Sequence, residues 1–333
     1  MSLAVAVTGA GAVVGGAPDF APPLAYDALG IGPDGSVPLG HLPEAIRARA
    51  MRAERVTQLL LAAGGRALAA AGIDAATAPA TRAGIVVGTA FGCFLTNAAY
   101  QRRLAAEGPA GASPRLFAAT VANAAAGELA IAYRLAGPAL TVSAGGASGL
   151  AALGEAVEIL RAGRADVVVA GGADALGGAL ADWCTATGLA FGTPPAEAAA
   201  VLVLERPGRV RAELGRIAGH ASGFEPDPEG PAGGEGLAGA IAAACADAGL
   251  APRAIAAVVS ATPPPLAPLE ARALDATVGG CRPRPMRPAL DATGPLGLLA
   301  ALADRERRVP VLVLEVCPSG HVAALVAWSR GAP

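Results

Sequence analysis

The sequence predicts an α/β protein in which buried strands alternate with helices. Continuous apolar runs such as Gly84 to Gly88 and Asp166 to Ala170 are typical of strands that are covered on both faces of a sheet. Segments such as Ser148 to Gly163 instead repeat apolar residues every three or four positions, which is the period of a helix. The 333 residues are 53% hydrophobic and 16% charged, which favours a large core and argues against disorder.

The chain also shows weak internal similarity. Two pairs of segments resemble each other, and they begin at Ala67 and Ala244 and at Val157 and Leu298. Each pair contains a helix followed by a strand, which is the central part of a βαβ unit. Together with the family resemblance described below, this similarity predicts a single domain over residues 1–333 with two related βαβ-containing halves, about 1–208 and about 209–333.

The first predicted element is a strand over Leu3 to Thr8. The GAGAVVGG that follows it suggests a dinucleotide-binding loop, because glycines of this spacing let a backbone approach a pyrophosphate. The third glycine falls at Gly15, however, one place too late for GxGxxG, and Gly16 and Pro18 interrupt any helix after it. The sequence therefore favours a strand followed by a Pro/Gly-rich loop over residues 17–40.

The rest of the chain follows the two periods in turn. The segment from Leu42 to Gly72 is predicted as one helix because its leucines and alanines form a strongly apolar face. Further helices are predicted over Phe91 to Leu104, Phe117 to Leu135 and Ser148 to Gly163, and from about Leu269. Further strands are predicted over Gly84 to Gly88, Ala139 to Val142, Asp166 to Ala170, Ala199 to Leu204 and Ala256 to Val259.

Composition excludes several classes of protein. The net charge is −2 without a basic patch, so nucleic acid is not a predicted partner, and no apolar run is long enough to cross a membrane. All 25 basic residues are arginine, which excludes Schiff-base and P-loop lysines. The five cysteines and three histidines lack the spacing of metal ligands, so we predict no metal site and no cofactor. An odd cysteine count without a signal peptide predicts a cytoplasmic location.

The stretch from Gly137 to Leu176 carries the most specific pattern. A β-leaning run enters a turn of small residues and then a helix that is apolar on most sides. Enzymes often hold a nucleophile at such a bend, because the N-terminus of the helix stabilises negative charge. The turn here contains only Ala144, Gly145, Gly146 and Ala147, so the scaffold is present without a nucleophile.

This stretch resembles the nucleophile elbow of β-ketoacyl synthases, where a strand ending in Val-Ser leads to a catalytic cysteine followed by Ser-Gly-Leu. Val142-Ser143 and Ser148-Gly149-Leu150 match that pattern and place Gly146 in the position of the cysteine. The following AVEILRAGRADVVVAGGADA and the first strand ending in Thr-Gly-x-Gly are also similar. The resemblance implies a thiolase-like fold with α-β-α-β-α layers.

Aligned on the same family, the chain also lacks the two catalytic histidines. The first histidine slot falls near Ser260, and the second falls at Pro288 or Ala289. The Gly-Phe-Gly-Gly loop of the family appears as Cys317-Pro318-Ser319-Gly320, and we expect His321 after it to be structural. The resemblance therefore implies that this chain has no catalytic residues of the usual kind.

Within the family, the chain resembles the chain length factors, or ketosynthase β subunits, of type II polyketide synthases. These lack the nucleophile and form heterodimers with an active ketosynthase α subunit, which receives the growing chain from an acyl carrier protein. The resemblance implies a non-catalytic subunit that closes the acyl tunnel at the interface and sets polyketide or polyene chain length. Glycine at position 146, where aromatic systems usually have glutamine, favours the highly reducing, polyene-forming branch.

The resemblance also assigns two groups of binding residues. Positions spaced by three and four share one helix face, so a single side chain there could set the depth of a tunnel. An ordinary amphipathic helix is the alternative interpretation of that face. The chain-length gate is predicted at Phe94, Asn97 and Gln101, and the partner interface at Phe117, Thr120, Val121 and Asn123.

Two other hypotheses remain open on the same fold. One is an acyltransferase or malonyl-thioester decarboxylase that uses Ser148, Cys93 or Cys184 as its nucleophile. Ser148 is alternatively a helix cap, and the two thiols are alternatively small buried hydrophobes. The other hypothesis is a scaffold subunit that has no tunnel.

Overall fold

The structure is a computed structural model, and it describes residues 3–15, 29–74, 82–188, 195–206, 213–230, 232–303 and 309–329. Its strands are β1 (Val5–Val14), β2 (Leu29–Gly30), β3 (Ala83–Gly88), β4 (Ala139–Val142), β5 (Val167–Asp174), β6 (Ala198–Glu205), β7 (Gly215–Phe224), β8 (Ala257–Ser260), β9 (Arg284–Pro285), β10 (Val311–Val316) and β11 (His321–Ser329). Its helices are α1 (Glu44–Ala50), α2 (Arg55–Ala70), α3 (Phe94–Glu107), α4 (Pro114–Ala118), α5 (Ala124–Tyr133), α6 (Ser148–Arg161), α7 (Gly178–Thr187), α8 (Glu235–Asp247), α9 (Ala267–Thr277) and α10 (Thr293–Ala303).

The strands form one mixed sheet in the order β4-β3-β5-β6-β1-β7-β11-β10-β8-β9, with β2 paired to β1. Outward from the junction of β1 and β7, both sides have the same plan. Two antiparallel pairings come first, and two parallel pairings follow. The two related βαβ-containing halves that the sequence predicts are therefore present.

Helices cover both faces of this sheet. α6 and α10 contact each other and also contact strands of both halves, so they form a central layer. α2 and α5 pack on the outer face of the first half, and α8 packs on the outer face of the second half with α9 beside it. The three hydrophobic clusters follow the same division, one central and two outer. When the strands of the two halves are counted as two β layers on either side of α6 and α10, this arrangement gives the predicted α-β-α-β-α layers.

β1 is longer than predicted, because it continues through the glycines that were expected to begin a loop. A β-carbon on Gly9 would lie 2.2 Å from the carbonyl oxygen of Ala67, and one on Gly11 would lie 2.2 Å from that of Ala63. These glycines let α2 pack directly against the strand. They serve helix–strand packing and do not form a dinucleotide loop. Of the loop predicted over 17–40, residues 17–28 lie outside the described residues.

Two segments that were predicted as single helices are each divided. Between α1 and α2 the chain turns so that the Arg55 side chain binds the Glu197 carboxylate and the Gly35 carbonyl. Between α4 and α5 the Thr120 carbonyl oxygen accepts hydrogen bonds from Cys93 Sγ at 2.8 Å and from Asn97 Nδ2 at 3.1 Å. Both breaks depend on distant partners, so local periodicity does not reveal them.

Candidate functional site

The turn before α6 has the geometry of an elbow. Gly145 has a φ of +53°, and Gly146 lies immediately before the buried N-terminus of the helix. The Ser148 hydroxyl accepts a hydrogen bond from the Ala144 amide at 2.9 Å and donates one to the Gly145 carbonyl at 2.5 Å. Ser148 is buried, and its hydroxyl holds the turn. It does not cap α6, as its alternative interpretation predicted, because Ala147 is the N-cap residue and no side chain caps the helix from that position.

A second elbow of the same construction precedes α10. Leu290 has a φ of +49°, which is close to that of Gly145. The Thr293 hydroxyl accepts a hydrogen bond from the Ala289 amide at 2.8 Å and donates one to the Leu290 carbonyl at 2.6 Å. Asp291 therefore occupies the position in this elbow that Gly146 occupies in the first.

The side chain of Asp291 crosses from the second elbow to the first. Its Oδ1 accepts hydrogen bonds from the amides of Ser148 at 2.8 Å and Gly149 at 3.3 Å, so it caps α6. The residue is completely buried. Burial raises the pKa of the Asp291 carboxyl well above its usual range, and the nearby charge of Asp174 raises this pKa further.

Asp174 itself holds the loop after β3. Its carboxylate accepts hydrogen bonds from the Thr89 hydroxyl and from the backbone amides of Ala90, Phe91 and Gly92. This fixes the Phe91 ring beside the Trp183 ring, with the centroids 5.9 Å apart. The aromatic wall of the site is therefore positioned by a buried carboxylate.

A cavity of about 260 Å³ opens in front of the first elbow. Its walls are mainly apolar, and they include Ala90, Phe91, Trp183, Pro263, Leu290 and Pro318. Its polar lining comes from Asp291, Thr293, Glu315 and Ser319, together with the Cys317 thiol. Burial raises the pKa of the Glu315 carboxyl well above its usual range, and the neighbouring Cys317 adds to this shift in pKa.

The positions at which the sequence predicts that the catalytic cysteine and the two histidines of the family are missing lie at or near this cavity. Gly146 and Pro288 line it, and so does Ala261, the residue after Ser260. Ser260 itself donates a hydrogen bond to Glu270 at 2.5 Å, and Ala289 is buried in the second elbow. No histidine is among the described residues that line the cavity.

The alternative nucleophiles do not meet at the cavity. Cys93 donates a hydrogen bond to the Thr120 carbonyl behind α3, and Cys184 lies on α7. Neither thiol is part of the described lining of the cavity, and burial raises the pKa of both. The hypothesis of another nucleophile therefore gains no support from Ser148, Cys93 or Cys184.

Sequence reasoning missed a different group, Cys317, Ser319 and His321. The Cys317 sulfur lies 3.0 Å from Ser319 Oγ, and that oxygen lies 3.1 Å from His321 Nδ1. A β-carbon on Gly146 would lie 3.1 Å from the β-carbon of Cys317. The expectation that His321 is only structural overlooked this hydrogen-bonded group. The available signal was the replacement of a glycine-rich loop by Cys-Pro-Ser-Gly.

The predicted gate residues lie along α3. The Phe94 ring packs on Trp183, with the centroids 5.8 Å apart, so it backs the aromatic wall of the cavity. The Asn97 amide is occupied by the Thr120 carbonyl and by Cys93, and Gln101 is exposed. Phe91, which was not predicted, reaches the cavity directly.

The predicted interface residues lie in and around α4 and the turn after it. Phe117 is 63% exposed and Val121 is 52% exposed, while Thr120 and Asn123 border them. Leu140 on β4 is also an exposed large apolar residue. β4 is the terminal strand of the sheet, so one of its edges has no partner within the described chain.

No group of three or more metal-ligating side chains was found in the described parts of the chain. None of the helices described in the structure is both long enough and apolar enough to cross a membrane.

The site consists of a largely apolar cavity, lined in part by carboxyl groups, beside an elbow that has no side chain at its central position.

Residues 34–187 match the family model described as Beta-ketoacyl synthase, N-terminal domain. This segment contains the first elbow, α3 and the exposed residues around α4. The sequence matches none of the curated proteins with which it was compared.

Solved structures match nearly the whole chain. A β-ketoacyl synthase from Burkholderia phymatum STM815 has a TM-score of 0.81 and 20% identity, covering 99% of this chain and 100% of that one. A type II polyketide synthase acyl carrier protein in complex with its ketosynthase bound to a hexaketide (AntDE:AntF) has a TM-score of 0.78 and 20% identity, covering 99% of this chain and 100% of that one. The ishigamide ketosynthase/chain length factor has a TM-score of 0.74 and 24% identity, covering 98% of this chain and 100% of that one. The chain thus has the thiolase-like fold of ketosynthases.

Proposed function

We propose that this chain is the non-condensing subunit of a ketosynthase heterodimer and sets the length of a polyketide or polyene chain. The observation that carries the proposal is the first elbow, which has the tight turn, the hydroxyl that bridges it and the buried helix, while Gly146 supplies no nucleophile. A condensing enzyme of this kind needs a thiol at that point and an imidazole to polarise a thioester carbonyl. The described cavity lining offers no imidazole.

The proposed partner is an active ketosynthase. Two of the matched structures are a ketosynthase with its acyl carrier protein and a ketosynthase/chain length factor. On this chain, the exposed apolar side chains of Phe117, Val121 and Leu140 and the free edge of β4 are the features that we propose a partner covers. The acyl carrier protein would then deliver the growing chain through the partner.

The proposed gate is the start of α3. Phe94 supports the Trp183 wall of the cavity, and Gln101 lies farther along the same helix. Replacing a ring by a methyl group deepens a pocket, and adding a ring shortens it. We expect Phe94→Ala to lengthen the products and Gln101→Trp to shorten them, measured by mass spectrometry of chains released from the heterodimer. Arg102→Ala, on an exposed neighbour, is the matched control.

The decisive experiment is co-expression with the active ketosynthase encoded nearest to this chain. The two proteins should co-purify as a heterodimer, and the pair, but not this chain alone, should condense malonyl and acyl thioesters. Val121→Asp should break the pair, whereas Leu3→Asp should not. Leu3 is also an exposed apolar residue, and its backbone carbonyl accepts a hydrogen bond from Arg161 at the C-terminal end of α6. Condensation by this chain alone, or no complex with the partner, would overturn the proposal.

The polyene-forming branch is the finer part of the proposal. It is supported by glycine at position 146, where the aromatic chain length factors that this chain resembles usually have glutamine. A β-carbon there would lie only 3.1 Å from that of Cys317. Ketoreductase and dehydratase genes beside this one, and unsaturated products from the reconstituted pair, would bear it out. Unreduced aromatic products would contradict it.

A further inference from the structure

We propose that Cys317 is an acyl-accepting thiol at the floor of the cavity, with Ser319 and His321 positioned to move its proton. The proposal rests on the proposed function only for the class of substrate, an acyl thioester. It assigns to this chain an acyl-transfer step that does not form a carbon–carbon bond. The two can therefore be tested separately.

The first observation is the place of the sulfur. A β-carbon built on Gly145 would lie 2.8 Å from Cys317 Sγ, and one built on Gly146 would lie 3.1 Å from Cys317 Cβ. The sulfur thus sits against the front of the first elbow, in space that side chains of the elbow would otherwise need. Cys317 is 2% exposed overall, and it lines the cavity together with Gly145 and Gly146.

The second observation is a hydrogen-bonded path away from the sulfur. Ser319 Oγ lies between Cys317 Sγ at 3.0 Å and His321 Nδ1 at 3.1 Å. When the thiol donates to Ser319, the serine donates to Nδ1 of a neutral imidazole. The His321 ring stands edge-on to Phe224 with a centroid separation of 5.7 Å, which fixes its orientation.

The third observation is Glu315, which points to a ligand independently of the thiol. Glu315 is 3% exposed and its side chain lines the same cavity, with Oε1 4.0 Å from the position of a β-carbon on Gly146. Its Oε2 lies toward Gly294 in α10 and has no hydrogen-bond partner in the described structure. A buried polar atom without a partner is rare in native proteins and calls for an explanation such as a water, an ion or a functional role. Because burial raises the pKa of Glu315, this carboxyl is favoured in its neutral form, which can donate to a carbonyl oxygen.

The walls of the cavity fit an acyl chain. Phe91, Trp183, Leu290 and Pro263 provide an apolar lining, while the hydrogen-bonding groups gather at the Cys317 end. A ligand with an apolar tail and one carbonyl at its end matches this division. A free acid would bring an ionised carboxylate into a buried site whose described lining has no cationic side chain, so a neutral thioester fits better.

The step balances as a thiol exchange. The Cys317 proton passes to Ser319 while the Ser319 proton passes to His321 Nδ1, and the sulfur attacks the thioester carbonyl carbon. A new carbon–sulfur bond forms to Cys317, and the bond to the carrier sulfur breaks. The carrier thiolate then takes the proton back through Ser319, so no oxidant or other reactant is needed.

The experiment incubates the purified full-length chain with hexanoyl-N-acetylcysteamine and locates the adduct by peptide mass spectrometry. We expect a hexanoyl thioester on Cys317 and none on Cys184 or Cys245. Cys317→Ala should remove the adduct while the protein keeps its thermal unfolding transition and its co-purification with the partner ketosynthase. A folded chain that is not acylated at Cys317, or is acylated equally at Cys184, overturns the inference without touching the proposed function.

Ser319→Ala and His321→Gln test the positioning role. Each should slow acylation near neutral pH by roughly 10²-fold, the usual contribution of a positioned base, and the loss should shrink in alkaline buffer where thiols ionise unaided. His41→Gln is the matched control, because His41 binds the Ala62 carbonyl away from the cavity. Equal rates for all four proteins near neutral pH would refute the role of Ser319 and His321.

Discussion

The two elbows of this protein share one backbone design but differ at their central residue. In each, a hydroxyl at the start of a central helix bridges a turn whose second residue has a φ near +50°: Ser148 in one and Thr293 in the other. Gly146 leaves the first elbow without a side chain, and Asp291 fills the second and caps the first helix. The difference shows that two turns of the same backbone geometry can have different roles: one leaves its central position without a side chain, and the other supplies the carboxyl that caps the helix of the first.

The largest loss of stability is expected when Asp291 is replaced. Asp291→Ala removes the acceptor for two buried amides at the start of α6, and each unsatisfied buried donor costs about 1–3 kcal/mol. We expect a loss of about 3 kcal/mol in the free energy of unfolding, measured by urea denaturation. Asp291→Asn keeps an acceptor oxygen and should lose far less. A small effect of the alanine variant would show that α6 does not depend on this cap.

A thiol placed at the centre of the first elbow tests whether positions 146 and 317 compete for the same space. Gly146→Cys places a β-carbon 3.1 Å from Cys317 Cβ, which overpacks the site, so we expect a loss of about 2 kcal/mol. Cys317→Gly in the same chain should recover most of that loss, because it empties the contested space. Thermal unfolding of the two single variants and the double variant measures this coupling. Simple additivity would mean that the two positions do not compete for space.

The carboxyls of the second half predict a pH dependence of stability. Asp291 and Glu315 have folded-state pKa values raised from ordinary values of 3.8 and 4.5, so folding favours their protonated forms. Stability should therefore fall as pH rises from these ordinary values through the raised pKa values. Each tenfold change in proton affinity is worth about 1.4 kcal/mol. Glu315→Gln should flatten the curve of unfolding free energy against pH, and an unchanged curve would contradict the prediction.

The smallest effects should come from the two bridging hydroxyls. Ser148→Ala and Thr293→Ala each remove one acceptor for a turn amide, and we expect about 1 kcal/mol from each. Thr293→Ser retains the bond and serves as the control. Unequal losses measured by chemical denaturation would show that the two elbows are held by different contacts despite their common geometry.

Much of this architecture could be predicted from sequence because its signals are local. The apolar run of β5, the glycine-rich turn and the three- and four-residue period of α6 lie within one stretch of chain. The same is true of the empty center of the first elbow, since Gly146 is visible between Val142 and Ser148.

The rest depends on residues far apart in the chain. Cys317 and Gly146 face each other only after the two halves pack, and the cap that Asp291 gives to Ser148 spans 143 positions. The division of the helix after Leu42 depends on Arg55 reaching Glu197. Neither the hydrophobic periodicity nor the composition of the sequence indicates such long-range contacts.

The bond from Asp291 to α6 has a consequence for how the molecule could be divided. A fragment that stops after Glu205 would contain the central helix of the first half but nothing to receive the amides at its start. A fragment that starts at Gly215 would contain the buried Asp291 carboxyl without the Ser148 and Gly149 amides that donate hydrogen bonds to it. Although the two halves share one plan of strand pairing, we expect that neither folds stably without the other.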